Sequence, residues 1–170
     1  VSATGLELVV IGDAAFSVDG QAVDFADTWT YKGIMCSDVP NLVSVFGYIN
    51  ASWTLRADLT AEWFCRLLNH MRDRDLDVAV PQVPDALQSM PDRDWIDGFS
   101  AGYMRRVMHR FPRQGDRAPW VNPQDYRRDR ALFLKSAIDD GALHFHQVSG
   151  DGSALAEGAR ESHSGVKDVA

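Results

Sequence analysis

The clearest pattern along the chain is a repeat of apolar residues at every fourth position between residues 55 and 71. This spacing places side chains on one face of an α-helix, so the sequence predicts a helix of about 20 residues, or about 30 Å. Asn50 and Ser52 are the candidate N-caps, because short polar side chains accept hydrogen bonds from the first free amides. The predicted apolar positions are Leu55, Leu59, Trp63, Phe64, Leu67, Leu68 and Met71, and the polar positions elsewhere on the helix are Arg56, Glu62, Arg66 and Asn69.

Shorter apolar runs before this helix predict β-strands. Leu6–Ile11 is one such run, and residues 41–49 form another, which is apolar on both faces and is typical of a covered strand of a sheet. Between them, Asp19 and Gly20 separate two segments rich in valine, phenylalanine and alanine. An Asp-Gly pair favours a type I′ turn, so we expect a hairpin from about Ala15 to Phe25.

After residue 75 the apolar spacing becomes irregular and prolines are frequent. We expect a surface wrap over residues 76–147 with short helices at 102–111 and 125–140, the second capped by Asn122 or Asp125. Residues 142–148 predict a short last strand. From residue 148 onward small and polar residues dominate, so residues 148–170 are predicted to be a disordered tail.

Composition narrows the possible functions. The chain has 170 residues, of which 45% are hydrophobic and 24% charged, as in an ordinary globular domain. A net charge of −7 argues against nucleic-acid partners and anionic membranes. No apolar run approaches the ~18 residues of a membrane span, so no transmembrane segment is expected. Cys36 and Cys65 form no CxxC pattern, Cys65 is predicted to be buried in the helix, and a reduced, cytoplasmic location is favoured.

The corner between the covered strand and the long helix is a candidate binding site. It reads GYINASWT, from Gly47 to Thr54. The free amides at a helix N-terminus carry partial positive charge, and small residues such as Asn50 and Ser52 let a ligand approach them. The corner therefore suits an electron-rich group such as a phosphate, a carboxylate or a polarised carbonyl. The alternative is that it holds only water, as many corners of α/β proteins do.

Several stretches resemble the C-terminal part of flavin-dependent monooxygenases of the Baeyer–Villiger type, and in particular the bacterial ethionamide-activating subgroup. The longest is YKGIMCSDVPNLVSVFGYINASWTLRADLTAEWFCRLLNHM, which contains the corner. ATG near the start, DGQAVDFADTWTYKG in the hairpin region, FPRQGDRAPWVNPQDYRRDRALFL and IDDGALHF also match, in the same order. The resemblance extends from Ala3 to about Phe145.

The resemblance implies an α/β fold. Residues 1–75 would form the C-terminal part of an FAD-binding Rossmann-like domain, with a hairpin, the final sheet strand and the long helix, and residues 76–147 would wrap around it. It also implies FAD and NADPH as cofactors, and a small ketone or thio-compound as the substrate that receives oxygen. The N-terminus of the long helix would point at the flavin ring. The residues that the resemblance places near the ring are Gly47, Asn50, Ser52, Trp53 and Thr54, with Leu55 behind them; Trp53 and Thr54 would also border the substrate.

Other features of this family are absent from the sequence. The chain contains no GxGxxG motif for either dinucleotide, no histidine-containing family fingerprint, and no arginine that we can map to the oxygenation step, so no catalytic residue is assigned. We therefore expect a C-terminal fragment that is inactive alone, binds FAD weakly or not at all, and complements a missing N-terminal half. The alternative is a non-enzymatic interaction module that folds only with a partner supplying the flavin domain.

Two further patterns suggest weaker candidates. Arginines interleaved with aromatic residues between positions 105 and 130 could contact nucleic acid or the phosphate of NADP, but we favour a charged surface in which they pair with Asp116, Asp125 and Asp129. His144 and His146 alternate as on one strand face, yet no third ligand is evident, so no metal site is predicted.

Overall fold

The computed structural model describes residues 8–98 and 101–148, and this part of the chain has a mixed α/β architecture. It contains three α-helices and three two-stranded antiparallel sheets, together with short 3₁₀ turns. The strands are β1 (Ser17–Val18), β2 (Gln21–Ala22), β3 (Thr30–Tyr31), β4 (Met35–Cys36), β5 (Val78–Pro81) and β6 (Leu143–His146), and the helices are α1 (Trp53–Arg72), α2 (Gly102–Val107) and α3 (Tyr126–Lys135).

The predicted hairpin is confirmed. Strands β1 and β2 pair antiparallel, and Asp19 and Gly20 both have positive φ, 50° and 78°, as a type I′ turn requires. The strand predicted over Leu6–Ile11 is wrong for its described residues, 8–11, none of which pairs with a strand of the described chain. Val10–Asp13 form a 3₁₀ turn instead, in which Ile11 has a φ of 47°. A left-handed residue at this point ends the extended backbone, which a run of apolar residues alone does not reveal.

The predicted long helix is confirmed as α1, but its buried face differs from the prediction. Leu59, Trp63, Leu67 and Met71 lie in the core, where they meet Tyr31, Trp120 and Phe133 from other elements. Phe64 and Leu68 are instead 37% and 48% exposed, and Leu55 is also at the surface. Arg56, predicted to lie away from the apolar face, is completely buried. Arg56 precedes Trp63 by seven residues, or about two helical turns, so it lies on the same face of α1, and the buried face is narrower than predicted because Leu55, Phe64 and Leu68 at its margins are exposed.

Residues 41–49, predicted to be the final strand of a larger sheet, do not pair with any strand of the described chain. The amide of Ser44 donates to the carbonyl of Ile34 at 2.8 Å, and the amide of Asn41 donates to the carbonyl of Ala79 at 2.9 Å. These isolated bonds hold the segment without forming a ladder, because a strand needs a neighbour along its length. The Rossmann-like sheet is therefore not confirmed.

The C-terminal elements largely follow the sequence prediction. The short helices are α2 and α3, and Asp125 caps α3 by accepting a hydrogen bond from the amide of Arg128 at 2.9 Å. The last strand is β6, whose partner β5 was not predicted. The prolines around β5 obscured it, although Pro81 at a strand end is compatible with pairing. The predicted disordered tail lies outside the described residues except for Val148.

The wrap is joined to the hairpin β3–β4 through backbone hydrogen bonds. The amide of Thr30 donates to the carbonyl of Arg113 at 2.8 Å, and that of Lys32 donates to the carbonyl of Pro119 at 2.7 Å. α1 packs directly on α3. No helix in residues 8–98 or 101–148 is both long and apolar enough to cross a membrane.

Candidate functional site

The candidate corner is a turn over residues 47–52 that leads into α1 at Trp53. Ser52 occupies the N-cap position with an extended backbone, but its side chain does not cap the helix. Its hydroxyl lies 2.8 Å from the hydroxyl of Thr54 instead. The first turn of α1 therefore has no side-chain cap on its free amides, which keep their partial positive charge.

Gly47 is required by a close contact. Its backbone lies directly beneath the side chain of Trp53, and a Cβ atom at residue 47 would fall 2.2 Å from Cδ2 of that indole. The φ angle of Gly47 is outside the left-handed region. The contact with Trp53, and not an unusual backbone conformation, is therefore what excludes a larger residue at position 47.

The predicted cofactor-binding residues differ in exposure. Gly47 is buried, whereas the other five lie at the surface around the N-terminus of α1. Trp53 is 51% exposed although it covers Gly47. The turn therefore presents its polar side chains and the helix amides outward. The exposed members are Asn50, Ser52, Trp53, Thr54 and Leu55.

An apolar cavity of about 450 Å³ lies beside the turn, and Trp53 forms part of its wall. Phe46, which precedes Gly47, contacts Trp53 with a ring-centroid distance of 5.1 Å. Trp95 and Phe111 of the wrap complete this aromatic wall: Trp95 meets Phe46 edge-on at 4.6 Å and stacks on Phe111 at 5.1 Å. Trp95 and Phe111 could not be predicted as part of the site, since they lie far along the chain from the corner and no sequence pattern connects them to it.

Directly behind the turn lies a buried charged group. Arg56 donates from Nη1 to Oδ1 of Asn122 at 2.7 Å and from Nη2 to the carbonyl of Lys32 at 3.2 Å. Its Nε lies 3.6 Å from Oδ2 of Asp129, which is also completely buried. Burial raises the pKa of Asp129, and the nearby Arg56 partly offsets that rise. Burial also lowers the pKa of Arg56, although Asp129 opposes the change.

The side chain of Gln124 contacts the turn itself. Its Oε1 accepts a hydrogen bond from the amide of Ile49 at 3.1 Å, and its Nε2 donates to the carbonyl of Gly47 at 3.2 Å. Gln124 lies in the loop before α3, more than 70 residues from the corner. The sequence offers no local signal for this contact.

The remaining sequence candidates do not form a second site. His144 and His146 are exposed, and residues 8–98 and 101–148 contain no group of three or more potential metal-ligating side chains. Asp116 pairs with Arg117 at 2.7 Å as predicted, but Asp125 caps α3 and Asp129 pairs with Arg56 outside the arginine-rich stretch. Cys65, predicted to be buried, is exposed, and Cys36 is the buried thiol.

Comparison with known proteins supports the resemblance. The chain is 45% identical over 146 residues to the FAD-containing monooxygenase EthA of Mycolicibacterium smegmatis, which is 85% of this chain and 29% of that relative. It is 41% identical over 145 residues to the probable FAD-binding monooxygenase AlmA of Acinetobacter baylyi, again 85% of this chain and 29% of the relative. It is 39% identical over 154 residues to the putative FAD-containing monooxygenase MymA of Mycobacterium tuberculosis, covering 91% of this chain and 31% of the relative.

The resemblance to flavin-dependent monooxygenases predicted from the sequence is thus confirmed. The chain spans less than a third of the length of these curated relatives. No protein-family model matches the chain, and no solved structure is significantly similar to it.

Proposed function

We propose that this chain is the C-terminal portion of an FAD- and NADPH-dependent monooxygenase, and that the turn from Gly47 to Thr54 faces the flavin ring. The similarity to FAD-containing monooxygenases carries the proposal, because it includes the corner that physical reasoning also selects. Residues 1–75 would then belong to an FAD-binding Rossmann-like domain, and residues 76–147 would wrap around it.

The residues at the corner fit a flavin ring. The N-terminus of α1 is exposed, has no side-chain cap and lies beside an apolar cavity walled by aromatic residues. FAD, when bound, supplies the redox and oxygenation chemistry, with NADPH as the reductant. The free amides of the first turn would favour negative charge on the pyrimidine edge of reduced flavin. Asn50, Ser52 and Thr54 would provide polar contacts, while Trp53 would border both ring and substrate.

The surface around the corner supports the proposal that a further polypeptide region covers it. Trp53, Phe64 and Leu68 lie on one side of α1 and are all more than a third exposed. Trp53 also lines the cavity, together with exposed Val9 and Val45. Exposed apolar side chains of this kind are ones that a protein normally buries against another surface. The unpaired segment 41–49 borders the same cavity, as the edge of an incomplete sheet would.

A chimeric protein tests the proposal. In the Mycolicibacterium smegmatis relative, the region matched by this chain is replaced with the corresponding residues of this chain. We expect the purified chimera to retain flavin at one molecule per polypeptide and to oxidise NADPH. A folded chimera, verified by cooperative thermal unfolding, that contains no flavin would contradict the proposal.

The alternative of a non-enzymatic interaction module is not favoured by the matches, all of which are named as monooxygenases. The choice of NADPH, the Baeyer–Villiger class, the ketone or thio-compound substrate, the cytoplasmic location and the absence of nucleic-acid partners stay predictions. NADPH oxidation by the chimera in the presence of candidate ketones and thio-compounds tests the choice of NADPH, the Baeyer–Villiger class and the substrate.

A further inference from the structure

The side-chain amide of Gln124 makes the two hydrogen bonds that a residue of a neighbouring parallel strand would make. In a parallel ladder, one residue donates from its N–H to the carbonyl before a facing residue and accepts at its C=O from the amide after it. Gln124 does this around Tyr48, donating to the carbonyl of Gly47 and accepting from the amide of Ile49. One carboxamide thus satisfies two backbone groups within the turn; we call this pair of bonds the amide bridge.

Neither backbone group has another partner in the described part of the chain. An unmade bond to a partly buried peptide group costs about 1–3 kcal/mol, so the amide bridge favours one orientation of these two peptide planes. Tyr48, between them, is buried, and its ring lies 5.5 Å from the guanidinium of Arg56. The bridge therefore fixes the backbone immediately before Asn50, where the exposed part of the corner begins.

A chain of buried amides holds Gln124 in place. The backbone of Gln124 has a φ of 51°, and its Nε2 lies 3.4 Å from Oδ1 of Asn122. Asn122 makes three further hydrogen bonds. Its Oδ1 accepts from Arg56, and its Nδ2 donates to the carbonyl of Trp95 at 3.0 Å. The backbone amide of Asn122 donates to Oε1 of Gln114 at 3.0 Å. Such connected buried networks are rigid because every member has a defined partner.

We propose that Gln124 is a positioning residue: its amide bridge sets the orientation of the turn that presents the N-terminus of α1 to the flavin. This inference rests on the proposed function, because the flavin is the group to which the turn is oriented. The amide bridge itself is a property of this chain alone. The two parts can therefore be tested separately.

Hydrogen exchange of the Ile49 amide in the full chain tests the bridge. Gln124→Leu removes both hydrogen bonds and should accelerate exchange at Ile49 at least tenfold relative to the unsubstituted chain. Gln124→Glu retains the acceptor for Ile49 and should accelerate it less. Gln21→Leu, on the exposed strand β2, is the matched control and should leave the Ile49 amide unchanged. Unchanged exchange in Gln124→Leu would overturn the bridge.

The preference of the chimera for reduced over oxidised FAD tests the positioning role. We expect Gln124→Leu to weaken binding of reduced FAD threefold or more relative to oxidised FAD, and Gln21→Leu to leave the ratio unchanged. A Gln124→Leu variant with fast Ile49 exchange but an unaltered ratio would overturn the positioning role. A chimera without any flavin would overturn the proposed function, and the positioning role with it, while the exchange experiment would still decide whether the bridge exists.

Discussion

Nε of Arg56 and Oδ2 of Asp129 lie 3.6 Å apart, and neither side chain is exposed. The pair joins the first turn of α1 to the first turn of α3, so it connects the candidate flavin corner to the C-terminal residues 76–147. Neither carboxylate oxygen of Asp129 has a hydrogen bond of full geometry in the described part of the chain, although the Tyr48 hydroxyl lies close enough to lower the pKa of Asp129, as Arg56 does. The ion pair with Arg56 therefore offsets part of the desolvation cost of this buried carboxylate.

Removing one member of this pair should be strongly destabilising. Asp129→Ala leaves the Arg56 charge buried without its counter-ion, and we expect it to lower the free energy of unfolding by about 3–5 kcal/mol. Urea unfolding followed by circular dichroism measures the change. Asp116→Ala breaks the exposed pair with Arg117 and should cost less than about 1 kcal/mol. Similar losses of the free energy of unfolding in Asp129→Ala and Asp116→Ala would show that the Arg56–Asp129 pair is not a buried ion pair.

The same carboxylate should produce a pH dependence. Because burial raises its pKa above the ordinary 3.8, folded Asp129 binds a proton more tightly than the unfolded chain does. The folded state then holds more protons in the window above 3.8, so this group's contribution to stability falls as pH rises through the folded pKa. Relative to Asp129→Asn, the unsubstituted protein should lose free energy of unfolding as the pH rises above 3.8 and through the raised pKa of Asp129. Parallel curves for the two proteins over this range would show that the pKa is not raised.

Gly33 should tolerate no side chain. A Cβ atom there would lie 2.5 Å from both Nη2 of Arg56 and Oδ1 of Asn122, and its φ is +70°. Gly141→Ala is the matched control, since Gly141 has a φ of +77° with open space around it. The control isolates the backbone cost of about 1–2 kcal/mol. Gly33→Ala should cost about 1–3 kcal/mol more, from the steric overlap. Equal melting temperatures for the two variants would indicate that Arg56 and Asn122 are not held against Gly33.

The two thiols should react at very different rates. Burial raises the pKa of Cys36 to about 11, so at pH 8 only about one molecule in a thousand carries its thiolate. Cys65 is exposed on α1. Mass spectrometry after brief treatment of the native protein with iodoacetamide should find one label per chain, on Cys65, and none on a Cys65→Ser variant. Rapid labelling of that variant would mean that Cys36 is accessible.

Local patterns predicted the elements whose stability is local. The hairpin follows from Asp19-Gly20, and α1 follows from the four-residue repeat. The helical period also places Arg56 on the buried face, but the groups that compensate its charge could not be predicted in this way, because Asn122 lies 66 positions away and Asp129 belongs to another helix. The partner of β6 was missed for a similar reason: β5 is short, ends in a proline and is defined by pairing with a distant strand.

Some residues of the candidate site could likewise be predicted from the sequence, and others could not. The turn from Gly47 to Thr54 carries its own signals, a glycine, small polar residues and the start of a helix, and a family resemblance reinforced them. The parts that complete it, Gln124 and the aromatic wall of Trp95 and Phe111, come from the wrap. Their role depends on tertiary packing, which no periodicity or spacing in the sequence indicates.

Reversing the electrostatic character of the corner tests the central claim most directly. Aspartate in the first turn of a helix stabilises it by about 0.3–1 kcal/mol, so Thr54→Asp should not reduce the stability of the chimera. If the corner faces the pyrimidine edge of the flavin, the new carboxylate should repel the negative charge of reduced FAD. The measurement is the ratio of the affinities for reduced and oxidised FAD, with Gln21→Asp adding the same charge to the distant hairpin. We predict that Thr54→Asp lowers this ratio at least threefold and that Gln21→Asp leaves it unchanged; equal ratios in the two variants would show that the N-terminus of α1 does not face the flavin.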